Sequence, residues 1–197
     1  MTFKKYKYLI LSDLYRVTGT VSFKILLKNI FLGESYKYIF WMRTCLYVYN
    51  KSLLRYTVYP FAYLSLNRLT YKLGISIPLI TKIGSGFYIG HFGNIVVTGH
   101  ATIGKNCNLS HGVTIGQANR GKNKGYPCIK DNVYIGPGAK IIGSVTIGNN
   151  VAIGANCVVT NDIPDNAVVV GIPGKVISNR GSKGYINNTD YRDKLIL

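Results

Sequence analysis

Large aliphatic residues recur at every sixth position through the second half of the chain. From position 129 the spacing is unbroken, and a small or β-branched residue stands four positions after each aliphatic one. The aliphatic positions are Ile129, Ile135, Ile141, Ile147, Ile153 and Val159, and the same spacing links Ile83, Ile89 and Ile95, and then Ile103, Leu109 and Ile115. A fixed period of this kind indicates a fold in which one unit stacks on the next.

A period of six matches neither the helix, at about 3.6, nor the strand, at about 2. It fits one flat side of a parallel β-helix that has three sides per turn. We therefore predict that the aliphatic residues point inward, that the six from Ile129 to Val159 are all buried, and that Gly and Asn form the corners. Cys107 and Cys157 fall at inward corner positions, where packing is their expected role. A sandwich of short strands would need a spacing of roughly 8 to 12 residues.

Residues 1–74 carry most of the tyrosines and few glycines, and their pattern favours helices. The predicted helices cover a segment from Ser12 to Gly19, residues 22–31, residues 34–49, and a segment around Pro60 that ends at Gly74. We therefore divide the chain into a helical N-terminal segment, 1–74, a β-helix, 75–177, and a tail, 178–197. Residues 117–127 break the period and should leave the coil as a loop, either simply solvated or folded over a ligand.

The chain is strongly basic, with 24 Lys and Arg against 7 Asp and Glu and a net charge of +17. Nucleic acid is nevertheless not an expected partner, because no recognised binding motif accompanies the charge. No apolar run approaches the roughly 18 to 20 residues of a membrane span, and no secretory signal is evident. The four cysteines show no metal spacing. We expect a cytoplasmic protein whose aromatic, basic first half can touch the inner face of the membrane.

Four segments together resemble the hexapeptide-repeat acyltransferases, most closely the serine acetyltransferase-like branch. They are IGHFGNIVV at 89–97, HGVTIG at 111–116, YIGPGAKIIGSVTIGNNVAIGANCVV at 134–159 and VVVGIPGKVI at 168–177. SDLYR at 12–16 is similar to the start of the helical segment in that branch. The resemblance implies a mainly β fold, a left-handed parallel β-helix with an N-terminal helical segment, assembled as a homotrimer. It also implies acetyl-CoA in the groove between neighbouring subunits, and no metal.

The resemblance also assigns roles to residues. His91 matches the histidine that activates the acceptor hydroxyl, a task suited to an imidazole near neutral pH. Gly116, Gly136 and Ala155 match the pantetheine groove, although repeat geometry alone also accounts for the glycines. Lys175 is placed to meet the nucleotide phosphates. Tyr126 and Asp13 are assigned to the acceptor.

The sequence departs from the serine enzymes at the positions that hold the amino acid. Their aspartate before the catalytic histidine is Gly90 here, their Arg-His pair before the loop proline is Gly125 and Tyr126, and their histidine-orienting aspartate is Ser76. An acceptor without charged groups is therefore expected, and we predict a sugar hydroxyl of a bacterial surface polysaccharide such as capsule, exopolysaccharide or lipopolysaccharide. Serine, as the acceptor of cysteine biosynthesis, is the alternative.

No acidic residue occurs between Glu34 and Asp131. The partner that orients His91 is therefore a backbone carbonyl, Asp13 or Glu34 from the helical segment, or an acid elsewhere in the trimer.

The histidines offer one further geometric prediction. His91 and His111 are the third residues of their hexads and lie three hexads apart if the insertion at 101–102 only widens a corner. The rings should then stand one turn apart on the same edge, about 4.8 Å from strand to strand. His111 would shape the acceptor pocket or relay a proton, or simply extend a polar edge. A metal-dependent hydratase would also need His100, which falls at another corner.

Overall fold

The computed structural model describes residues 1–195 of the chain. Its first part is helical, and the helices are α1 (Phe3–Thr18), α2 (Phe23–Phe31), α3 (Tyr36–Val48), α4 (Ser52–Thr57) and α5 (Tyr59–Leu73). Helix α3 packs against α1, α2 and α5 and is the centre of this layer. Its Tyr38, Ile39 and Met42 belong to the same buried cluster as the inward residues of the coil, so the two parts share one core.

The first helix begins earlier than the sequence predicts. Thr2 caps α1 by accepting a hydrogen bond from the Lys5 N–H at 3.2 Å. Ser12, the predicted cap, lies inside the helix, where its hydroxyl donates to the Leu9 carbonyl at 2.9 Å. Several other boundaries follow the expected signals, since Ser22 caps α2, and Gly19 and Gly74 end α1 and α5 in the left-handed conformation, whereas the short helix α4 was not predicted. Pro60 lies in the first turn of α5 and so begins that helix.

The remainder is a coil of short strands. They are β1 (Ile75–Ser76), β2 (Lys82–Ile83), β3 (Tyr88–Ile89), β4 (Ile95–Val97), β5 (Thr102–Ile103), β6 (Asn108–Leu109), β7 (Thr114–Gly116), β8 (Cys128–Ile129), β9 (Tyr134–Ile135), β10 (Lys140–Ile142), β11 (Thr146–Ile147), β12 (Ala152–Ile153), β13 (Val158–Val159), β14 (Val168–Val170) and β15 (Lys175–Ser178), followed by α6 (Tyr191–Lys194).

These strands form three sheets, which the chain visits in rotation. Sheet A has the order β1-β4-β7-β10-β13, sheet B has β11-β8-β5-β2, and sheet C has β15-β14-β12-β9-β6-β3. Every described pairing of strands is parallel except β14 with β15. The fold is therefore mainly parallel β-sheet with an N-terminal helical region.

The inward residues are those that the period predicts. Ile135, Ile141, Ile147 and Ile153 have no exposed surface, and Ile129 and Val159 expose 2% and 1%. The predicted burial is confirmed. Cys107 is also fully buried, and burial raises the pKa of its thiol to about 12, so it packs as a small neutral side chain.

Asparagines form a ladder along the corner between sheets B and C. Asn106, Asn132, Asn150 and Asn166 all have φ between 55° and 62°. The amide of each donates to the side-chain oxygen of the next at 2.9, 2.9 and 3.1 Å. Asparagine tolerates this conformation better than other side chains do, and the ladder satisfies its amide, which is why the repeat places it at these corners.

The stacked core gives a direct stability test. Ile135→Ala removes three heavy atoms from a fully buried site between turns, and the neighbouring strands restrict its collapse. We expect the free energy of unfolding to fall by about 2–5 kcal/mol, measured by denaturant titration. Ile177→Ala, at a residue that is 62% exposed, is the control. Equal midpoints for the two variants would contradict the assigned register.

Among residues 1–195, no helix combines the length and the apolar character that a membrane crossing requires.

Candidate active site

Two histidines meet at the corner between sheets C and A. Strands β3 and β6 pair in register, with Tyr88 opposite Asn108 and Ile89 opposite Leu109. His91 and His111 each stand two positions beyond the second of these pairs, and their ring centroids are 6.2 Å apart with the planes inclined by 68°. The predicted juxtaposition one turn apart is confirmed. The insertion at 101–102 does not change the number of hexads per turn, which stays at three, because Ile83 still pairs with Ile103.

This corner, the histidine edge, continues along the coil through residues 136–139 and 154–157. Backbone hydrogen bonds join its turns, from Gly112 N to Gly93 O at 2.8 Å and from Gly138 N to His111 O at 2.9 Å. Gly136 and Ala155 lie on this edge above the histidines. A side chain at Gly136 would meet the Ile153 carbonyl at 2.8 Å, so the coil itself requires glycine there.

A cavity of about 370 Å³ opens beside the histidine edge. Its floor is the outer face of sheet C, and its walls come from the end of α1 and from the tail. Residues that line it include Arg16, Tyr88, His91, Asn108, Ser110 and Tyr185. The tail is held there because the Tyr185 ring stacks on Tyr134 at 4.6 Å and the Tyr185 carbonyl accepts from Asn108 at 3.0 Å.

Both imidazoles are exposed in the single chain. No hydrogen bond to either ring occurs among the hydrogen bonds of residues 1–195. Glu34 is exposed just before α3 and, like Asp13, does not line the cavity. The described part of the chain therefore brings no carboxylate of its own to the histidine edge.

The assignment of Asp13 to the acceptor disagrees with the structure. Its side chain is fully buried, with one oxygen 2.9 Å from Arg43 Nε and the other 2.8 Å from the Phe87 N–H. Arg43 also donates to the carbonyls of Ile83 and Gly84 at 2.9 and 2.6 Å. Asp13 thus ties α1 and α3 to the first turn of the coil, and both of its oxygens are occupied by that task.

Two other predicted residues lie on a different corner. This loop edge, between sheets A and B, carries His100 and the loop 117–127. The Tyr126 ring contacts the His100 ring at 4.8 Å. Gly116 ends β7 at the same edge, and the space beside it is filled by Ile142, whose Cδ1 would lie 2.9 Å from an added Cβ. One chain alone therefore does not unite Tyr126 or Gly116 with His91.

Lys175 begins β15 and is exposed. It pairs with Val170 in the last turn of sheet C, at the end of the coil away from α1. Its ammonium group is thus available to solvent, as a phosphate contact requires.

Gly90, where the serine enzymes have an aspartate, is covered by an aromatic ring. A Cβ at position 90 would lie 3.4 Å from Tyr88 Cε1 and 4.0 Å from its hydroxyl. Tyr88 thus occupies the space beside the backbone of His91. Sequence reasoning missed Tyr88, Arg16 and Asn108 as residues of the site, because nothing periodic marks the outer face of sheet C.

Three comparisons bear on this site. Residues 129–161 match the family described as bacterial transferase hexapeptide (six repeats). The serine acetyltransferase of Bacillus subtilis strain 168 is 43% identical over 110 residues, which are 56% of this chain and 51% of that protein. That of Staphylococcus aureus strain N315 is 42% identical over 108 residues, which are 55% and 51% of the two chains. The chain thus spans about half the length of the curated relatives it matches.

Solved structures give the same result over more of the chain. The Neisseria gonorrhoeae serine acetyltransferase in complex with serine aligns with a TM-score of 0.71 and 26% identity, covering 89% of this chain and 70% of that one. The Brucella abortus strain S19 enzyme in complex with coenzyme A aligns with a TM-score of 0.73 and 25% identity, covering 91% and 70%.

The predicted polysaccharide acceptor is wrong, because these relatives and structural neighbours are serine acetyltransferases. Charged groups missing at positions 90, 125 and 126 suggested a neutral acceptor, but that inference rested on three positions, whereas the similarity to these relatives extends over about 110 residues. Residues 129–161 carry the bacterial transferase hexapeptide repeat, and the chain is similar in sequence and in fold to serine acetyltransferases.

Proposed function

We propose that this protein is a serine O-acetyltransferase that uses acetyl-CoA as the acetyl donor. The observation that carries the proposal is His91, which lines a polar cavity of about 370 Å³, together with His111, whose ring centroid lies 6.2 Å from that of His91. The similarity to serine acetyltransferases, one of them solved with serine and another with coenzyme A, supports the choice of both substrates.

In this reaction His91 accepts the proton of the serine hydroxyl as the hydroxyl oxygen attacks the acetyl carbonyl carbon. A hydroxyl is a poor nucleophile near neutral pH, so a base within hydrogen-bonding reach is needed. Backbone N–H groups stabilise the charge that forms on the carbonyl oxygen. The C–S bond then breaks, and His91 returns the proton to the departing thiolate, so that the products are O-acetylserine and free coenzyme A.

We further propose that coenzyme A lies along the histidine edge. Gly136 and Ala155 follow the histidines on that edge and have little or no side chain, so a thin pantetheine arm can approach the backbone there. Lys175, exposed in the last turn, is suited to the phosphates. On this proposal Gly116 lines the same groove from the neighbouring subunit.

The proposed assembly is a homotrimer of left-handed coils. The separation of the predicted site residues over two corners supports it. His91 and His111 lie on the histidine edge, whereas Gly116 and Tyr126 lie on the loop edge. A neighbouring copy that presents its loop edge to the histidine edge would combine both sets. It would also cover imidazoles that are exposed in one chain.

The test is thiol release by the full chain mixed with acetyl-CoA and L-serine. We expect coenzyme A to form in proportion to serine, and O-acetylserine to appear by mass spectrometry. L-Alanine, which lacks only the hydroxyl, is the matched control and should give the background rate. Background release with L-serine as well would refute the proposed function.

A further inference from the structure

Arg16 is a buried cation in the wall of the cavity that contains His91. It lies in the last turn of α1 and exposes only 5% of its surface. Its Nε donates to the Gly86 carbonyl at 3.2 Å, and its Nη2 donates to the Asn108 side-chain oxygen. The Tyr88 ring lies beneath it, with the centroid 5.9 Å from Cζ. The guanidinium is therefore held in one orientation by three neighbours.

This cation has no counter-ion in the described structure. The two ion pairs among residues 1–195 are Arg43 with Asp13 and Lys194 with Asp190. Arg16 bonds a carbonyl and an amide instead, and its Nη1 makes no hydrogen bond within the same residues. Burial also lowers the pKa of the guanidinium, as expected for a cation withdrawn from water. A desolvated charge without a partner is costly, and a bound anion would relieve the cost.

The surroundings favour a small carboxylate over a larger anion. Tyr88 and Asn108, which flank the guanidinium, are register partners on β3 and β6. His91 and His111 follow them by three residues, in the corner just beyond the two strands, and three residues span at most about 10 Å of chain. That span accommodates one three-carbon amino acid with a hydrogen bond at each end. Nη1 and the second N–H of Nη2 remain for a ligand, and such a fork binds a carboxylate through two parallel hydrogen bonds.

We propose that Arg16 binds the carboxylate of the acceptor amino acid and directs its hydroxyl toward His91. The proposal rests on the proposed function for the identity of the acceptor. It explains how an amino acid is held although Gly125 and Tyr126 carry no charge. Asn108 is a positioning residue, because its amide bridges Arg16 and the Tyr185 carbonyl and so links the cation to the tail.

The experiment compares L-serine with L-serinamide, in which a neutral amide replaces the carboxylate. Dissociation constants come from calorimetry, and KM and kcat from thiol release. The full chain should bind L-serine at least about tenfold more tightly than L-serinamide, as expected for charge-assisted hydrogen bonds. Arg16→Gln should bind the two ligands equally, Arg16→Lys should fall between, and KM for acetyl-CoA should stay unchanged. Arg68→Gln, at an exposed position of α5, is the matched control.

The outcomes separate this inference from the proposed function. If Arg16→Gln acetylates serine with the same KM for serine as the unchanged chain, the role of Arg16 is refuted and the proposed function stands. Absence of turnover with either ligand would refute the function, while tighter binding of L-serine than of L-serinamide would still support the carboxylate site. Equal binding of both ligands by the unchanged chain would refute the site. If Arg16→Gln fails to fold, the inference is tested by the dissociation constants of L-serine and L-serinamide for the unchanged chain and for Arg16→Lys.

Discussion

His91→Ala is expected to slow acetyl transfer by about 10²- to 10⁴-fold, the usual contribution of a positioned general base. The imidazole is exposed, so its removal should leave the unfolding midpoint unchanged. Coenzyme A should still bind, because its proposed contacts lie further along the histidine edge. The measurements are kcat from thiol release, a denaturant titration, and calorimetry with coenzyme A.

His111→Ala is the matched control, since it removes the same side chain from the next turn of the same edge. We expect a smaller loss of rate, together with a changed pH–rate profile if His111 relays protons. An unchanged profile would limit His111 to shaping the pocket. Full activity in His91→Ala together with inactivity in His111→Ala would reverse the two roles.

Asp13→Ala is expected to lower the free energy of unfolding by about 3–5 kcal/mol, the usual effect of breaking a buried ion pair. The side chain of Arg43 is only 3% exposed, and the substitution leaves its charge without a carboxylate. The Phe87 N–H loses its acceptor as well. The measurement is a denaturant titration, and the same variant should loosen the attachment of α1 and α3 to the coil.

The chain contains its own control for this effect. Lys194 and Asp190 form an ion pair whose side chains are 59% and 55% exposed. Asp190→Ala should lower the free energy of unfolding much less than Asp13→Ala does, because water and salt screen the pair and the substitution otherwise removes one hydrogen bond, from the Tyr15 hydroxyl at 3.1 Å. A midpoint for Asp13→Ala equal to that of Asp190→Ala would contradict the structural role given to the buried pair.

Periodicity in the sequence determined the coil and the relative positions of the two histidines. The six-residue spacing fixes which residues point inward, and one inward set can satisfy only one strand register. The pairing of Ile89 with Leu109 follows from that register, and it carries His91 and His111 onto one edge. The ends of α1 and α5 are also determined by local sequence, because the left-handed conformations at Gly19 and Gly74 need no tertiary partner.

The environment of the histidines was decided only by the tertiary structure. The Arg16 side chain donates a hydrogen bond to Asn108, 92 positions later in the sequence. Asn188 of the tail donates one to the Arg16 carbonyl, from which it is separated by 172 positions. The sequence made Asp13 a candidate for binding the acceptor substrate, whereas in the structure Arg43 and the Phe87 N–H occupy both of its oxygens. Contacts of this kind depend on how α1 and the tail dock on sheet C, and no local period encodes that docking. The sequence therefore specified the coil and the two histidines, whereas the docked helices and tail specified the cavity beside them.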